Sequence, residues 1–425
     1  MHVGVYGSGY LATVVSACLA DFGVPVTCVD DDLNRITSMS QGAVPYFEKN
    51  LQEVVRRNIR AGRLMFSSEI TSLGRQRQLI FLAPDSAQYI DELATRVSRV
   101  CTEATYLVIC TPVPVGTSQR IESRLKNAAM HVKVVSHPIF LTDGCAVEDF
   151  NWPDRILVGT DSAEAVSLLK QLYRPLVMRG VPVIVTNHAT AELVREAATA
   201  FVATKISFIN EIAGLCEHVN ADAMDLALAL GLDKKVAPRC LQPGAGFGGP
   251  FVETEMDALA QLAYSKGVSL KVLSAARDVN YNLCDRVINK IAATLHAVTG
   301  RNITLLGLAF KPNTNSVASS ASIALAKRLV EKGAHVSTYD PAAMADAKPE
   351  LTSAVNFCDS PYAAAENSDA IVLSTNWPEF KALDFMRIKR SVRRPVIVDP
   401  KNMLDPARMT AMGFEYVGMG RPQIQ

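Results

Sequence analysis

The stretch Val3-Gly4-Val5-Tyr6-Gly7-Ser8-Gly9-Tyr10-Leu11-Ala12 stands almost at the start of the chain. Val3–Tyr6 reads as a short β-branched strand, and Thr13–Asp21 reads as a helix beyond the glycines. Val24–Val29 is a second strand, and it runs into Asp30-Asp31-Asp32 about twenty residues past the glycines. Strand, glycine turn, helix, strand and acid, in that order, make the βαβ unit that binds a dinucleotide. Gly7 permits the tight turn, Gly9 lets backbone approach a pyrophosphate, and Ala12 fills a position that accepts Gly or Ala. The free N–H groups at Tyr10 and Leu11, where the helix begins, favour an anion. Asp30 is placed to accept ribose hydroxyls, which selects NAD over a 2′-phosphorylated cofactor.

Strands are expected outward from this unit at Leu79–Ala83, Tyr106–Cys110, Val132–Val135, Ile156–Val158 and Val183–Val185, with helical stretches between several of them. Such alternation implies a mainly parallel, doubly wound sheet. Ligands bind at the carboxyl ends of the strands in these sheets, so the loops Ala83–Ala87 and Thr111–Thr117 should line a cleft. Asp85 would then carry a carboxylate toward the pyrophosphate, or else face solvent from its turn. From Ala189 to Val219 runs one long amphipathic helix, with no Gly or Pro before Gly214. A second strand–turn–helix unit opens at Asn302–Phe310, and Ala334–Tyr339, Ala370–Ser374 and Pro395–Asp399 add further strands. The fold class is α/β: two Rossmann-like, doubly wound parallel-sheet domains (1–187 and 295–425) joined by a central long-helix domain (188–294).

Composition narrows the function. The 425 residues are 49% hydrophobic and 20% charged, with a formal net charge of +1, so no electrostatic drive exists toward nucleic acid or an anionic membrane. No apolar run is long enough for a membrane span, and no cleavable signal is expected ahead of Val3. The nine cysteines lack C-x-x-C or metal-ligand spacing, which points to free thiols in a reducing cytoplasm and to no metal site.

The stretch Gly244–Leu259, GAGFGGPFVETEMDAL, carries four glycines in six residues. It resembles the active-site signature of the UDP-glucose/GDP-mannose dehydrogenase family, G-x-G-[FY]-G-G-S-C-F-P-K-D-x-x-A-L. Other matches follow in order along the chain. Thr111–Thr117 resembles S-T-V-P-V-G-T, and Ser136–Ala146 resembles N-P-E-F-L-x-E-G-[ST]-A. Ala191–Glu211 resembles the helix at the core of the family's dimer, and Gly307–Thr314 resembles the start of its UDP-binding signature. What this implies is NAD as cofactor, a UDP-sugar or related nucleotide sugar as ligand, and a homodimer through the central helix. The cofactor would meet Gly7, Gly9, Tyr10, Leu11, Ala12, Asp30, Arg35, Thr117 and Asp143. The nucleotide sugar would meet Arg195, Lys235, Phe247, Gly248, Gly249, Phe310, Lys311 and Lys401. Arg35 and Lys235 read equally well as solvated surface charges.

The reactive positions depart from the family. Phe251 replaces its nucleophilic cysteine, Ile139 its first glutamate, Arg195 its lysine, Thr199 its asparagine, Glu255 its aspartate and Pro112 a threonine. The family oxidises a sugar alcohol to an acid by two hydride transfers to NAD. That chemistry needs a thiolate, a base, oxyanion donors and a carboxylate that activates water. An isoleucine moves no proton, and an arginine does not deprotonate. Phe251 is expected to fill the pocket that a thiolate and water need, and Pro250 removes an N–H from the same turn. His137 reads as a structural histidine rather than a substitute base. The expected function is therefore a catalytically silent homologue in nucleotide-sugar or polysaccharide metabolism, paired with itself or with an active paralogue. The alternatives are an NAD-dependent enzyme with altered, two-electron chemistry, and an assembly protein that uses only the fold's surfaces.

Overall fold

The structure, a computed structural model, describes residues 1–74, 78–128 and 130–422. Its first sheet contains β1 (Val3–Tyr6), β2 (Val26–Val29), β3 (Leu64–Ser67), β4 (Leu79–Leu82), β5 (Thr105–Ile109), β6 (Val132–Ser136), β7 (Ile156–Gly159) and β8 (Val183–Thr186), ordered β3-β2-β1-β4-β5-β6-β7-β8. Every pairing is parallel except β6–β7, which meet antiparallel at Ser136 and Gly159. Side chains alternate between two cores. Leu79 and Phe81 join Val3, Val5, Tyr106 and Val108 on one face. Ile80 and Leu82 join Tyr6, Leu107 and Ile109 on the other. Burial on both faces explains why Leu79-Ile80-Phe81-Leu82 is apolar throughout instead of alternating with polar residues.

The second sheet contains β9 (Asn302–Leu306), β10 (His335–Tyr339), β11 (Val355–Phe357), β12 (Ala370–Leu373), β13 (Val396–Asp399) and β14 (Glu415–Gly418), ordered β11-β10-β9-β12-β13-β14 and parallel throughout. The chain divides into two compact units, Met1–Ala197 and Ala198–Gln425, and the division falls inside the helix His188–Val219.

In each sheet the strand order reverses beside the first strand, between β1 and β4 and between β9 and β12. Such a switch point opens a crevice at the strands' carboxyl ends. Both crevices are floored by a glycine whose backbone leaves no room for a side chain. Gly7 has φ +119°, and a Cβ there would lie 2.3 Å from the Ala83 carbonyl oxygen. Gly307 has φ +104°, and its Cβ would meet that of Thr375 at 2.4 Å.

Three strands go beyond the sequence expectation, namely β3, β11 and β14, and all three lie at sheet edges. The second strand begins at Val26 rather than Val24 because Pro25 has no N–H for the ladder. The helix expected from Thr13 starts at Tyr10, directly after the turn.

His137 lies buried at the end of β6, with Nδ1 2.6 Å from the Leu157 carbonyl oxygen and Nε2 2.9 Å from the Tyr173 hydroxyl. A carbonyl only accepts, so Nδ1 carries the proton and Nε2 accepts from Tyr173. Burial pushes this histidine from its ordinary 6.5 down to about 4, partly offset by the bond to Leu157. Its place is structural. As pH falls, the unfolded chain takes up this proton first, so the neutral ring's contribution is complete above 6.5 and is lost between there and about 4. In urea denaturation at a series of pH values, His137→Phe should flatten the fall in stability across that window, whatever its absolute stability.

Candidate functional site

At the first crevice, the Gly7–Gly9 turn leads into the helix Tyr10–Asp21, whose N-terminus carries no side-chain cap. Its first N–H groups are therefore available to an anion. Asp30, at the end of β2, accepts from the Ser8 amide at 2.6 Å and from the Asp32 amide at 2.9 Å. Tyr46 donates its hydroxyl to the Ser8 carbonyl at 3.0 Å and stacks edge-on against Tyr10. Tyr10 in turn donates to Glu48, a buried carboxylate that also accepts from the amides of Gly144 at 2.6 Å and Ala146 at 3.2 Å. Asp143 lies close enough for its charge to act on both Tyr10 and Glu48. Arg35 pairs with Asp85 at 2.7 Å, and a Cβ built on Gly9 would fall 1.3 Å from Asp85 Oδ1. Thus Gly7, Gly9, Tyr10, Leu11, Ala12, Asp30, Arg35 and Asp143 gather around one turn.

The neighbouring loop ends at the helix Thr117–Asn127. There the buried Glu192 carboxylate accepts from the amides of Gly116 at 2.6 Å and Ser118 at 2.8 Å. Among the described residues, Ser8 Oγ and Thr117 Oγ1 are buried hydroxyls with no protein partner. Ser16 Oγ and Ser374 Oγ share that state, and Ser8 stands within the Gly7–Gly9 turn itself. Arg195 donates from Nη1 to the Ile139 carbonyl oxygen at 2.6 Å. Ile139 itself packs against the first core.

In the second unit the glycine loop is held from several sides. The Gly244 amide donates to Asn210 Oδ1 at 2.8 Å, and the Gly249 amide to the Ala318 carbonyl at 3.0 Å. Asn280 takes both backbone groups of Phe247, accepting from its N–H at 2.8 Å and donating to its carbonyl at 3.2 Å. The packing leaves no space for side chains: a Cβ on Gly246 would meet Asn280 Oδ1 at 2.2 Å, and one on Gly248 the Ser319 carbonyl oxygen at 2.2 Å. One on Gly249 would meet the Phe310 ring at 2.8 Å, and Lys311 lies over that same ring. Beside the loop, a cavity of about 390 Å³ is lined by Asn210, Arg239, Cys240, Gly244, Asn376 and Lys401. Burial pushes Lys401 down to about 8 against the pull of Asp399. Lys235 stands exposed in its own turn, its amide bonded to Asp233.

Phe251 does not fill a closed pocket as the sequence suggests. It is the N-cap of the helix Val252–Ser265 and 42% exposed, outside the cluster of Ala203, Phe247, Met256 and Leu273. One turn on, the buried Glu255 carboxylate accepts the Thr199 hydroxyl.

Three models of the UDP-glucose/GDP-mannose dehydrogenase family match this chain: the NAD binding domain over residues 1–177, the central domain over 189–282 and the UDP binding domain over 304–406. The chain belongs to this family. UDP-glucose 6-dehydrogenase TuaD of Bacillus subtilis is 35% identical over 100% of this chain and 94% of its own length. UDP-glucose 6-dehydrogenase of Rhizobium meliloti is 36% identical over 99% of this chain and 100% of its own. The structure of a UDP-glucose dehydrogenase from Pyrobaculum islandicum superposes with a TM-score of 0.89 at 29% identity, covering 99% of this chain and 98% of that one.

The family's NAD-binding domain supports NAD as the cofactor here, and its UDP-binding domain points to a nucleotide-sugar ligand. The glycine turn and Asp30 suit a dinucleotide, and the Asp85 carboxylate beside Gly9 is at odds with it. Among the described residues no group of His, Cys, Asp or Glu is arranged to hold a metal, and no helix is long and apolar enough to cross a membrane. Sequence reasoning missed Asn280, which no family pattern flagged, and the capping roles of Glu48 and Glu192. An asparagine in the apolar-periodic run Val268–Lys290 was the available signal. Asn280→Ala should cost about 1–3 kcal/mol and speed proteolytic cleavage within Gly244–Gly249. Asn280→Asp, which keeps the acceptor for the Phe247 amide, should fall between it and the wild type.

Proposed function

We propose that this chain is a catalytically silent member of the UDP-glucose/GDP-mannose dehydrogenase family that binds NAD and a UDP-sugar without carrying out the four-electron oxidation. The observation that carries the proposal is the state of the reactive positions. Phe251 offers no nucleophile at the cap of its helix, and the Thr199 hydroxyl is committed to Glu255. Arg195 is tied to the Ile139 carbonyl, and Ile139 is part of the hydrophobic packing. Losing a covalent nucleophile costs on the order of a millionfold in rate in a protease, and here the base, the oxyanion donor and the water-activating carboxylate are replaced as well. The binding elements, by contrast, keep their form: the Gly7–Gly9 turn with Asp30, and the glycine loop packed on Phe310 beside Lys311. Binding without turnover fits that contrast.

The chain acts as a homodimer through its central helix, within the division 1–187, 188–294 and 295–425. Phe201, Phe208 and Leu215 recur at every seventh residue of that helix and are exposed, with Val219 beyond them. An apolar stripe of this period is suited to a second helix of the same kind, from another copy or from an active paralogue.

Purified protein mixed with NAD and a panel of UDP- and GDP-sugars should bind ligand in calorimetry and form no NADH. One or two equivalents of NADH per sugar would overturn the proposal, and failure to bind either ligand would favour a protein that uses only its surfaces. Phe201→Asp together with Phe208→Asp should halve the mass seen by light scattering.

A further inference from the structure

We infer that Asp85 sets the affinity of this chain for dinucleotide by occupying, with its own carboxylate, the cradle meant for the diphosphate. The position is given by the fold. Asp85 follows β4, and β4 and β1 flank the switch-point crevice of the first sheet. Its Oδ1 stands 1.3 Å from where a Cβ on Gly9 would be, so the carboxylate uses the space that the missing side chain leaves open. That space lies at the uncapped N-terminus of the helix Tyr10–Asp21, where the N–H groups and the helix dipole draw in negative charge. Arg35 holds the other oxygen at 2.7 Å and lies 3.5 Å from Asp32 as well. The carboxylate is thus an internal anion in the place of a ligand's anion, with a cation already paired to it.

A diphosphate entering the turn meets two costs. The carboxylate must leave the cradle, breaking its pair with Arg35, and until it does two like charges share one small space. The pair is exposed on the Asp85 side, so it opens at modest cost. Asp85 is therefore a latch rather than a block: affinity falls, and the turn keeps its shape through Asp30 and Tyr46, which hold Ser8 independently. Once Asp85 is released, Arg35 keeps only its longer, 3.5 Å pair with Asp32 and can turn toward the ligand.

The inference rests on the proposal above that NAD binds, and its test separates the two. NAD and adenosine are titrated by calorimetry into wild type and into Asp85→Asn, which keeps the side chain's size and removes its charge. Neither measurement needs turnover. Removing one unit charge from a partly exposed anion site should tighten NAD by about tenfold, while adenosine, which lacks the diphosphate, should change by less than about twofold. NAD binding to the variant alone, with none to wild type, would also support the latch. Equal or weaker NAD binding by the variant would overturn the latch and leave NAD binding itself in place. Adenosine tightening in step with NAD would overturn it too, since space rather than charge would then be the cause. No NAD binding by either protein would overturn both.

Discussion

The amide of Ser8 donates to Asp30 across the end of the first sheet, and the shape of the glycine turn depends on that bond. The second sheet repeats the device with Asp340, at the end of β10, accepting from the amides of Leu308 and Ala309. The two acids differ in what remains open. Asp30 is partly exposed and takes two backbone donors, which leaves acceptor capacity facing the crevice. Asp340 is buried and also accepts from Ala342, Ala343 and the Trp377 indole, which fills a carboxylate's capacity. Two similar βαβ units thus present different chemistry. The first keeps an acid with open acceptor capacity at its crevice, and the second seals its acid inside and leaves Phe310 and Lys311 beside the glycine loop.

The glycine loop is held by groups that touch no reacting atom. Asn210, Asn280 and the Ala318 carbonyl fix Gly244, Phe247 and Gly249 through backbone bonds. Phe251 and Glu255 lie beyond these attachments, on the following helix. A change of side chain at Phe251 therefore leaves the loop's attachments in place. The loop's shape is thus carried by residues other than Phe251 and Glu255. Arg195, in the other unit, serves as a tether to the Ile139 carbonyl.

Much of the fold was legible because the central strands are buried on both faces. Runs such as Leu79–Leu82 and Ala370–Leu373 stand out from any helical pattern, and the Val3–Ala12 unit announces its own turn. The edge strands β3, β11 and β14 were not legible. Each pairs on one side only and carries exposed positions such as Met65, Asn356 and Glu415, which blur the apolar run. At the candidate site, the residue types at the reactive positions were readable, whereas their placement was not. Nothing in the string of letters says that Phe251 caps a helix at the surface, or that Thr199 and Glu255 bond across 56 positions. Asp85 was recognisable as a charge near a phosphate, and its lodging against Gly9 needed coordinates.

The steric closure around Gly246, Gly248 and Gly249 bears on how related chains should be sorted. A methyl group at any of the three would strike an amide oxygen, a main-chain carbonyl or an aromatic ring. Natural selection for a folded molecule is then enough to keep these glycines, with or without a reaction to serve. A pattern search that scores the glycines therefore gathers chains by their fold, whatever stands at the positions beyond the loop. The residue two places after the last glycine is free of that steric demand and can vary without disturbing the loop.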